Sequence, residues 1–301
     1  NGVVTITKIG TDTLVKSLHS TVALLFDAEE WSAFLAGAAD GEFDFTSELA
    51  SAQSSAALVE PTSQFFATAD IPYRATVNTV SNGDLWASCW ANDGALYSAN
   101  GDGRGFSANA KDFADIVVNR ITGTPPTGLS GVRLSGGAQV AKIWTAGNYN
   151  RKPTGMVAVD GNGDGRDELY LAVQDLCTGP GNLTFNDAPA ASVSVSTDYG
   201  RTWRTTNAPM FTDHVFTTIF FLDFGQSNRN ASVLGPGGAA YVYAYGLDNN
   251  WRDSYSNTVA DPQSLYLARV PKGSIQNRAS WQFFTGADGS GVPTWSSDIG
   301  R

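Results

Sequence analysis

Short runs of alternating apolar and polar residues, separated by turns rich in Gly, Asn and Asp, recur over residues 71–301. A period of two is typical of half-buried strands, and Gly, Asn and Asp favour the turns between them. The runs include DLWASCW, ALYSAN, ELYLAVQ, ASVSVS, AAYVYAYG and SLYLARV. The same region shows no convincing helical period. The pattern therefore predicts a mainly β domain, built as a sandwich, a barrel or a propeller.

The first 45 residues differ from this region. VVTI (3–6) and TVALLF (21–26) predict two short strands that would form a hairpin, and residues 27–44 predict a helix. Ala and Ser are frequent in the segment that follows, which favours a linker. We therefore expect a small hairpin-plus-helix domain at 1–45, a linker at 46–70 and a β domain at 71–301.

The predicted helix carries its own start signal. Asp27 can cap the first turn, and Glu30, three residues later, can complete a capping box. An apolar face follows at helical spacing, formed by Trp31, Phe34, Leu35 and Ala38. The stretch resembles the second half of a small actinobacterial domain of unknown function. The resemblance rests on Phe26, Glu30, Trp31, Phe34, Gly37 and the Gly-Glu-Phe-Asp at 41–44. That resemblance implies no catalytic role for the first 45 residues.

The net charge of −10 bears on the partners of the protein. An acidic surface argues against nucleic acid, whose phosphates require a patch of Lys and Arg, and against an anionic membrane surface. No apolar run reaches the roughly 18 residues that a membrane-spanning helix needs. No signal peptide is visible in a chain that begins at Asn1. Cys89 and Cys177 could pair or remain free thiols, so cysteine usage leaves the compartment open, and the oligomeric state is open too.

One short motif narrows the choice of β architecture. Residues 196–203, STDYGRTW, fit the pattern S-x-D-x-G-x-x-W, the Asp-box of sialidase-like propellers. Asp198 and Gly200 would shape a hairpin turn, and Trp203 would pack beneath it. An ordinary Asp-Gly hairpin is the simpler alternative, but all four fixed positions follow a predicted strand. The motif predicts a propeller blade and marks no active site.

A second loop has the composition of a calcium site. Residues 159–171, VDGNGDGRDELYL, place oxygen-bearing side chains at loop positions 1, 3, 5 and 9, and a Gly at position 6 permits a sharp turn. The distal Glu of an EF-hand is absent, because Leu171 occupies that position. The loop resembles the short calcium loops of integrin-type propellers, and a metal-free Gly/Asp hairpin is the alternative. The predicted ligands of a structural Ca²⁺ are Asp160, Asn162, Asp164, the carbonyl of Arg166, and Glu168.

Two Gly-Asp pairs flank an aromatic-rich predicted hairpin. Asp84 precedes the strand LWASCW and Asp102 follows the strand ALYSAN, so an antiparallel pairing would bring the two carboxyls to the same end. Glycosidic bond hydrolysis needs two such carboxyls. They lie about 5–5.5 Å apart when one of them is the nucleophile, and about 6.5–9.5 Å apart when a water fits between them. Turn chemistry alone could explain both acids, and it does explain Asp93 in its Asn-Asp-Gly turn.

Several segments in order resemble a family of glycoside-hydrolase-like five-bladed β-propellers that includes bacterial endo-D-arabinanases. They are GDLWASCWANDGALYSANGDGRGF (83–106), RKPTGMVAVDG (151–161), ASVSVSTDYGRTW (191–203), SLYLARVPKGSIQNRASWQFFTG (264–286) and GVPTWSSDIG (291–300). Family members usually continue well beyond the PTW segment, so either the sequence is a fragment whose last blade is incomplete or the propeller closes in another way.

The resemblance implies an enzyme that cleaves a bacterial cell-wall polysaccharide, most specifically D-arabinan, with Asp84 and Asp102 as its catalytic acids. It implies a secreted or cell-surface protein whose partner is a polysaccharide or oligosaccharide. A non-catalytic carbohydrate-binding propeller and a partial, inactive domain are the alternatives. Further residues predicted to contact the sugar are Trp86, Trp90 and Trp295, whose rings could stack on it, together with Lys152 and Asn186. Trp295 is expected in a loop after Pro293, and Asp213 and His214 could form a polar pair at the rim of the site.

Overall fold

The computed structural model describes residues 4–17, 23–39, 80–124, 128–178, 185, 187–235, 237–250 and 264–300. The chain divides into two compact units, Asn1–Ile71 and Pro72–Arg301. The predicted linker at 46–70 lies outside the described residues and stays a prediction. No helix in the described ranges is both long and apolar enough to cross a membrane.

The N-terminal unit contains an antiparallel sheet of three strands in the order β1-β2-β3. The elements are β1 (Val4–Ile9), β2 (Asp12–Ser17), β3 (Ala23–Phe26) and the helix α1 (Ala28–Ala39). The predicted two-stranded hairpin is therefore wrong, because it lacks β2. A tight turn at Gly10, whose φ is +65°, returns the chain so that β2 pairs with β1.

The start of α1 is a capping box, as predicted. Asp27 Oδ1 accepts hydrogen bonds from the backbone N–H of Glu29 at 2.9 Å and of Glu30 at 2.8 Å. Glu30 Oε2 in turn accepts from the Asp27 N–H at 3.0 Å. The ring of Trp31 stacks on Phe34 with centroids 5.4 Å apart. The last predicted helical residues, 40–44, lie outside the described part of the chain.

The larger unit is built from three antiparallel sheets in which neighbouring strands follow one another along the chain. The first holds β4 (Asn82–Trp90), β5 (Leu96–Gly105), β6 (Ala114–Thr122) and β7 (Ser130–Gly136). The second holds β8 (Tyr149–Val159), β9 (Glu168–Cys177) and β10 (Ala190–Ser196). The third holds β11 (Thr218–Phe221), β12 (Tyr241–Leu247), β13 (Leu265–Pro271), β14 (Gln282–Ala287) and β15 (Pro293–Ser296). The predicted mainly β class is confirmed.

The second sheet is covered on both faces. One core joins it to the first sheet, with Tyr97 and Ile116 packing in the same cluster as Leu171. Another joins it to the third sheet, where Val193 shares a cluster with Trp281. Every residue of β9 is buried as a result. Strands covered on both faces form a rigid wall on which polar side chains at the strand ends can be held in place.

The described residues of this unit form three separate sheets, and none of these sheets closes on itself. The five-bladed propeller therefore remains a prediction. Trp90 and Leu96 pair across β4 and β5 and are exposed on the outer face of the first sheet. Cys89 and Cys177 are buried free thiols, so the alternative of a disulfide is excluded here.

The Asp-box adopts the hairpin that its sequence predicts. Ser196 Oγ accepts from the Gly200 N–H at 2.8 Å, and Gly200 has a φ of +84°. Asp198 Oδ1 accepts from the Thr202 N–H at 2.9 Å, and the Thr202 hydroxyl donates to Oδ2 at 2.6 Å. Trp203 packs back against the first core and donates its indole N–H to the Gly200 carbonyl at 3.1 Å. The motif ties the end of β10 to the first sheet.

The Asp198 carboxylate should make stability depend on pH. Its burial raises the pKa, but the hydrogen bonds from Thr202, Ser196 and Arg201 outweigh this effect, so the pKa of Asp198 is lowered. The stabilisation is present above the unfolded-state pKa of about 3.9 and is lost as the pH falls through the folded-state value. We expect Asp198→Asn to lower the free energy of unfolding by about 1 kcal/mol at pH 7. Denaturant unfolding should show that the difference in free energy between the wild type and Asp198→Asn becomes smaller below about pH 4. A difference that grows on acidification would contradict this role of the Asp198 carboxylate.

Candidate active site

The two predicted catalytic acids lie together at one end of the β4–β5 hairpin. Asp84 of β4 pairs with Gly101 of β5, the residue directly before Asp102. The ladder is irregular here, with register shifts on both sides of Asp84. Asp102 has a φ of +31°, and Leu85 and Trp86 also have positive φ values of 66° and 48°. Bulges and strained backbone of this kind are concentrated at functional sites, where they direct side chains.

Gly101 allows a third charged group to join the pair. A Cβ placed at this position would collide with Asp84 Oδ1 and would lie 3.3 Å from Lys152 Nζ. Both side chains therefore lie over the same glycine, although one comes from the first sheet and the other from the second. Gly101 is needed for this close approach, and its φ is not among the positive ones, so its role is purely steric.

Lys152 forms an ion pair with Asp102 through Nζ and Oδ2. The side chain of Lys152 is only 3% exposed, whereas that of Asp102 is 35% exposed. The contact is a close approach of charges without hydrogen-bond geometry, and Nζ has no other hydrogen-bond partner among the described residues.

The strand that carries Lys152 is held in place from both sides. β8 packs against β4 and against β11. Lys152 is paired in the sheet with the buried Gln174 of β9. The Thr218 hydroxyl donates to Gln174 Oε1 at 2.8 Å, and Gln174 Nε2 donates to Asn250 Oδ1 at 3.3 Å. A satisfied polar network therefore lies behind Lys152 and fixes the wall of the site.

The residue before Lys152 anchors β8 to the first sheet. Arg151 forms an ion pair with Asp115 of β6 at 2.8 Å, and both side chains are 16% exposed. The Arg151 backbone N–H donates to the same carboxylate at 2.9 Å, and its Nε donates to the Ala141 carbonyl at 2.7 Å. This clamp fixes the position from which Lys152 reaches Asp102.

A second polar group lies where β8 begins. Asp187 accepts a hydrogen bond from the Tyr149 hydroxyl at 2.5 Å and contacts His214 Nε2 at 2.6 Å. Burial, followed by the bond to Asp187, raises the pKa of Tyr149. The side chain of His214 is 42% exposed. The sequence predicted a polar pair of Asp213 and His214, whereas the structure pairs His214 with Asp187, and the Asp213 carboxylate accepts from the Thr212 hydroxyl at 2.7 Å.

Other acids in the unit are committed to the fold. Asp93 accepts from the Ala95 N–H at 3.0 Å and from the Tyr97 hydroxyl at 2.8 Å, which confirms its structural role. Asp175 is fully buried and accepts from the Trp144 and Thr145 backbone N–H groups at 2.7 and 2.8 Å. Burial raises the pKa of Asp175, with these bonds opposing the shift. Neither acid shares the environment of Asp84 and Asp102.

Trp86 and Trp90 lie on β4 but line a different hollow. Trp90 alternates with Cys89, which faces the second sheet, so Trp90 faces away from Lys152. The two tryptophans line a cavity of about 480 Å³ on the outer face of the first sheet, together with Leu96, Phe106, Ile121 and Leu129. Trp86 donates its indole N–H to the Gly83 carbonyl at 3.0 Å. The structure therefore does not bring these rings to the ion pair.

Trp295 is also distant from the acid pair. The expectation that it lies in a loop is wrong, because it belongs to β15, whose pairing with β14 orders the segment after Pro293. β15 is the edge strand of the third sheet, four strands from β11, and neighbouring strands are about 4.8 Å apart. The Arg269 guanidinium covers the Trp295 ring at 4.3 Å from its centroid. Asn186, the remaining predicted contact, lies outside the described residues.

The loop with calcium-like composition is held by its own hydrogen bonds. Asp160 accepts from the Gly163 and Gly165 N–H groups at 2.7 and 3.0 Å. The Asn162 amide donates to Glu168 at 2.7 Å and to Asp164 at 3.2 Å, so its N–H₂ faces the carboxylates that should share the ion. Arg166 donates its N–H to Asp164 at 2.8 Å. Within the described ranges, no three His, Cys, Asp or Glu side chains are grouped to hold a metal. Calcium binding by this loop remains a prediction.

A calcium titration tests that prediction. If the loop binds Ca²⁺, the thermal midpoint should rise with calcium concentration, because saturation at 100 times Kd adds about 2.7 kcal/mol to the free energy of unfolding. Asp160→Asn should remove the response. It should also lower the midpoint in chelator slightly, because the amide keeps only one of the two oxygens that accept from Gly163 and Gly165. A midpoint that is the same in calcium and in chelator would refute the calcium site.

The sequence did not reveal what surrounds Lys152. Gln174, Thr218 and Asn250 come from separate strands and loops, and no local pattern joins them. The Arg151–Asp115 clamp links residues 36 positions apart. Only the adjacency of Arg and Lys at 151–152 is a local signal, since two cations within a strand otherwise rich in apolar residues need acidic partners.

Comparisons with known proteins add little to this geometry. No family model matches the chain, and no curated protein sequence matches it. A candidate hydrolase from Bacteroides ovatus ATCC 8483 is similar in structure over 74% of this chain and 56% of its own, with 11% identity and a TM-score of 0.44. An inulosucrase from Halalkalicoccus jeotgali bound to kestose is similar over 72% of this chain and 53% of its own, with 12% identity and a TM-score of 0.37. The chain thus spans a little over half the length of each protein, and similarity at this level does not establish a shared activity.

Proposed function

We propose that the protein hydrolyses glycosidic bonds of a bacterial cell-wall polysaccharide, with D-arabinan as the leading substrate. The observation that supports this most is that Asp84 and Lys152 converge over Gly101, while Lys152 also contacts Asp102. Two carboxyls from adjacent strands share one end of a hairpin, and a cation from the next sheet lies against them. The D-arabinan assignment rests on the resemblance of residues 83–106 and the later segments to endo-D-arabinanases.

The chemistry needs one carboxyl that carries a proton and one that is ionised. The first protonates the leaving oxygen as the bond to the anomeric carbon breaks, and the second attacks that carbon or activates a water that does so. The position of Asp84 and Asp102 at one end of the β4–β5 hairpin, beside Lys152, supports them in these two roles. The polar rim formed by Tyr149, Asp187 and His214 offers hydrogen bonds to sugar hydroxyls. We place the activity outside the cell or at its surface, where the polymer lies.

A carbohydrate-binding role without cleavage is the second proposal, and a different observation favours it. The cavity lined by Trp86 and Trp90 has apolar aromatic walls of the kind that stack on sugars, and it lies on the face of β4 that turns away from Lys152. A protein of this kind would bind glycan but release no product. Trp90→Ala would then remove binding, whereas changes at Asp84 and Asp102 would leave it intact.

Incubation with mycobacterial arabinogalactan separates the two proposals. A hydrolase should release oligosaccharides that chromatography resolves, and reducing ends should increase with time. A binding module should co-sediment with the insoluble polymer and release nothing. If the protein neither binds nor cleaves arabinogalactan, and is equally inert toward other cell-wall glycans, both proposals fail.

A further inference from the structure

A further cavity, distinct from the acid pair and from the cavity of Trp86 and Trp90, lies on the outer face of the third sheet. Its volume of about 520 Å³ is within the range of small-ligand sites. The residues that line it include Tyr241, Tyr243 and Tyr245 of β12, Arg269 of β13 and Trp295 of β15. We infer that this cavity binds a saccharide that carries a carboxylate, with the Arg269 guanidinium holding the carboxylate beside the tyrosines.

The first support is the way in which Arg269 is held. The central carbon of its guanidinium lies 4.3 Å from the centroid of the Tyr241 ring and 4.3 Å from that of the Trp295 ring. Its Nε donates to Gln282 Oε1 at 2.9 Å. Two ring contacts and one hydrogen bond fix the guanidinium before a ligand arrives, so little side-chain freedom remains to be lost on binding.

The second support is that this cation lacks an anion. In the described part of the chain Arg269 forms no ion pair, and its Nη1 and Nη2 make no hydrogen bond. It is half-buried, and among the described lining residues it is the charged one. Asp223, next in the chain to the lining residue Leu222, is exposed and accepts from the Gly225 N–H at 2.6 Å. A guanidinium with free terminal N–H groups matches a carboxylate, which it can bind through two parallel hydrogen bonds.

The third support is the row of tyrosines along β12. Val242 and Ala244 are buried in the core. Because side chains alternate along a strand, Tyr241, Tyr243 and Tyr245 share the opposite face, about 7 Å apart. Tyr243 is only 9% exposed, yet within the described ranges its hydroxyl has no hydrogen-bond partner. A buried tyrosine hydroxyl usually has one. Ring faces beside unpartnered hydroxyls suit a sugar, which has apolar C–H faces and polar edges.

Titration with two trisaccharides tests the inference. Trigalacturonate carries a carboxylate on each sugar, whereas maltotriose carries none. In nitrogen-15 NMR the indole N–H signal of Trp295, assigned with Trp295→Phe, should shift with trigalacturonate and stay in place with maltotriose. The binding should weaken as salt is added, because it depends on a charge pair partly open to solvent. Equal binding of the two sugars would overturn the role of the carboxylate.

Three variants test where the sugar binds. Arg269→Met keeps an apolar stem but loses the charge, so it should weaken trigalacturonate binding by roughly 10–100-fold. Tyr243→Phe removes a single oxygen and should weaken binding by roughly 3–10-fold. Lys111→Met removes an exposed cation that precedes β6, and it should bind as the wild type does. Wild-type affinity in either folded cavity variant would overturn the inference, and Tyr243→Phe alone decides it if Arg269→Met unfolds.

Two further probes distinguish a saccharide from other anions. Triglutamate carries its carboxylates on a peptide, and inorganic phosphate carries charge without apolar surface. Both should bind about tenfold more weakly than trigalacturonate, because neither places a sugar ring against the tyrosines. Equal affinity for triglutamate would assign the cavity to an acidic peptide, and equal affinity for phosphate would assign it to an anion alone; either result overturns the saccharide. These measurements involve no turnover, so their outcome is independent of the proposed hydrolysis.

Discussion

Asp84→Asn and Asp102→Asn are each expected to lower polysaccharide cleavage by about 10³-fold or more while leaving the fold intact. Both side chains lie at a strand end open to solvent and not in either core, so an isosteric amide should not disturb packing. Loss of the proton donor or of the anion removes an interaction made in the transition state, so kcat should fall more than binding. Initial rates of reducing-end release give the measurement.

Asp298→Asn is the matched control. Asp298 is an exposed acid whose carboxyl accepts a bond from the Gly300 N–H at 3.2 Å, remote in sequence from the β4–β5 hairpin. Its rate and its thermal midpoint should equal those of the wild type, and Asp84→Asn should keep the midpoint within a few degrees. Asp102→Asn should lower the midpoint, because the buried ammonium of Lys152 loses its anionic partner. Cleavage at an undiminished rate by either Asp84→Asn or Asp102→Asn would remove that residue from the machinery.

Gly101→Ala is expected to lower turnover by about 10²-fold, although it adds a single methyl group. The added Cβ would collide with Asp84 Oδ1 and approach Lys152 Nζ to 3.3 Å, so the acid and the cation must move apart. A displacement of about 1 Å at reacting groups can cost on the order of 10²-fold in rate. Steady-state kinetics on the polysaccharide measure the effect.

Gly147→Ala controls for the loss of a glycine. A Cβ at Gly147 meets no atom within 4 Å, and its φ is not among the positive ones, so Ala should be accommodated there. Its kinetics should match the wild type. If Gly101→Ala also matches the wild type, the convergence of Asp84 and Lys152 over this glycine is not needed for the reaction.

Local features of the fold were accessible from the sequence because short-range chemistry determines them. The Asp27–Glu30 capping box and the Asp-box at 196–203 involve residues a few positions apart, and both form as expected. The placement of Asp84 and Asp102 at one hairpin end followed from the turn between their strands. Each of these depends on hydrogen bonds whose partners are close in the chain.

Features that depend on distant residues were missed or misplaced. The strand β2 was overlooked because its pairing with β1 defines it, and not the strand propensity of its residues. Trp295 was expected in a loop, yet the ladder with β14 makes it a strand residue. The burial of Lys152 depends on β4, β5 and β9 meeting around β8, which no local pattern encodes. Aromatic residues near the acids in sequence, such as Trp90, face the other side of the sheet because side chains alternate along a strand.

The most direct test of the account is a crystal structure of Asp84→Asn with a bound arabino-oligosaccharide. A glycosidic bond should lie over Gly101, within reach of both the amide introduced at position 84 and the Asp102 carboxylate. A sugar bound instead in the cavity of Trp86 and Trp90, with Asp102 and Lys152 untouched by ligand, would contradict it.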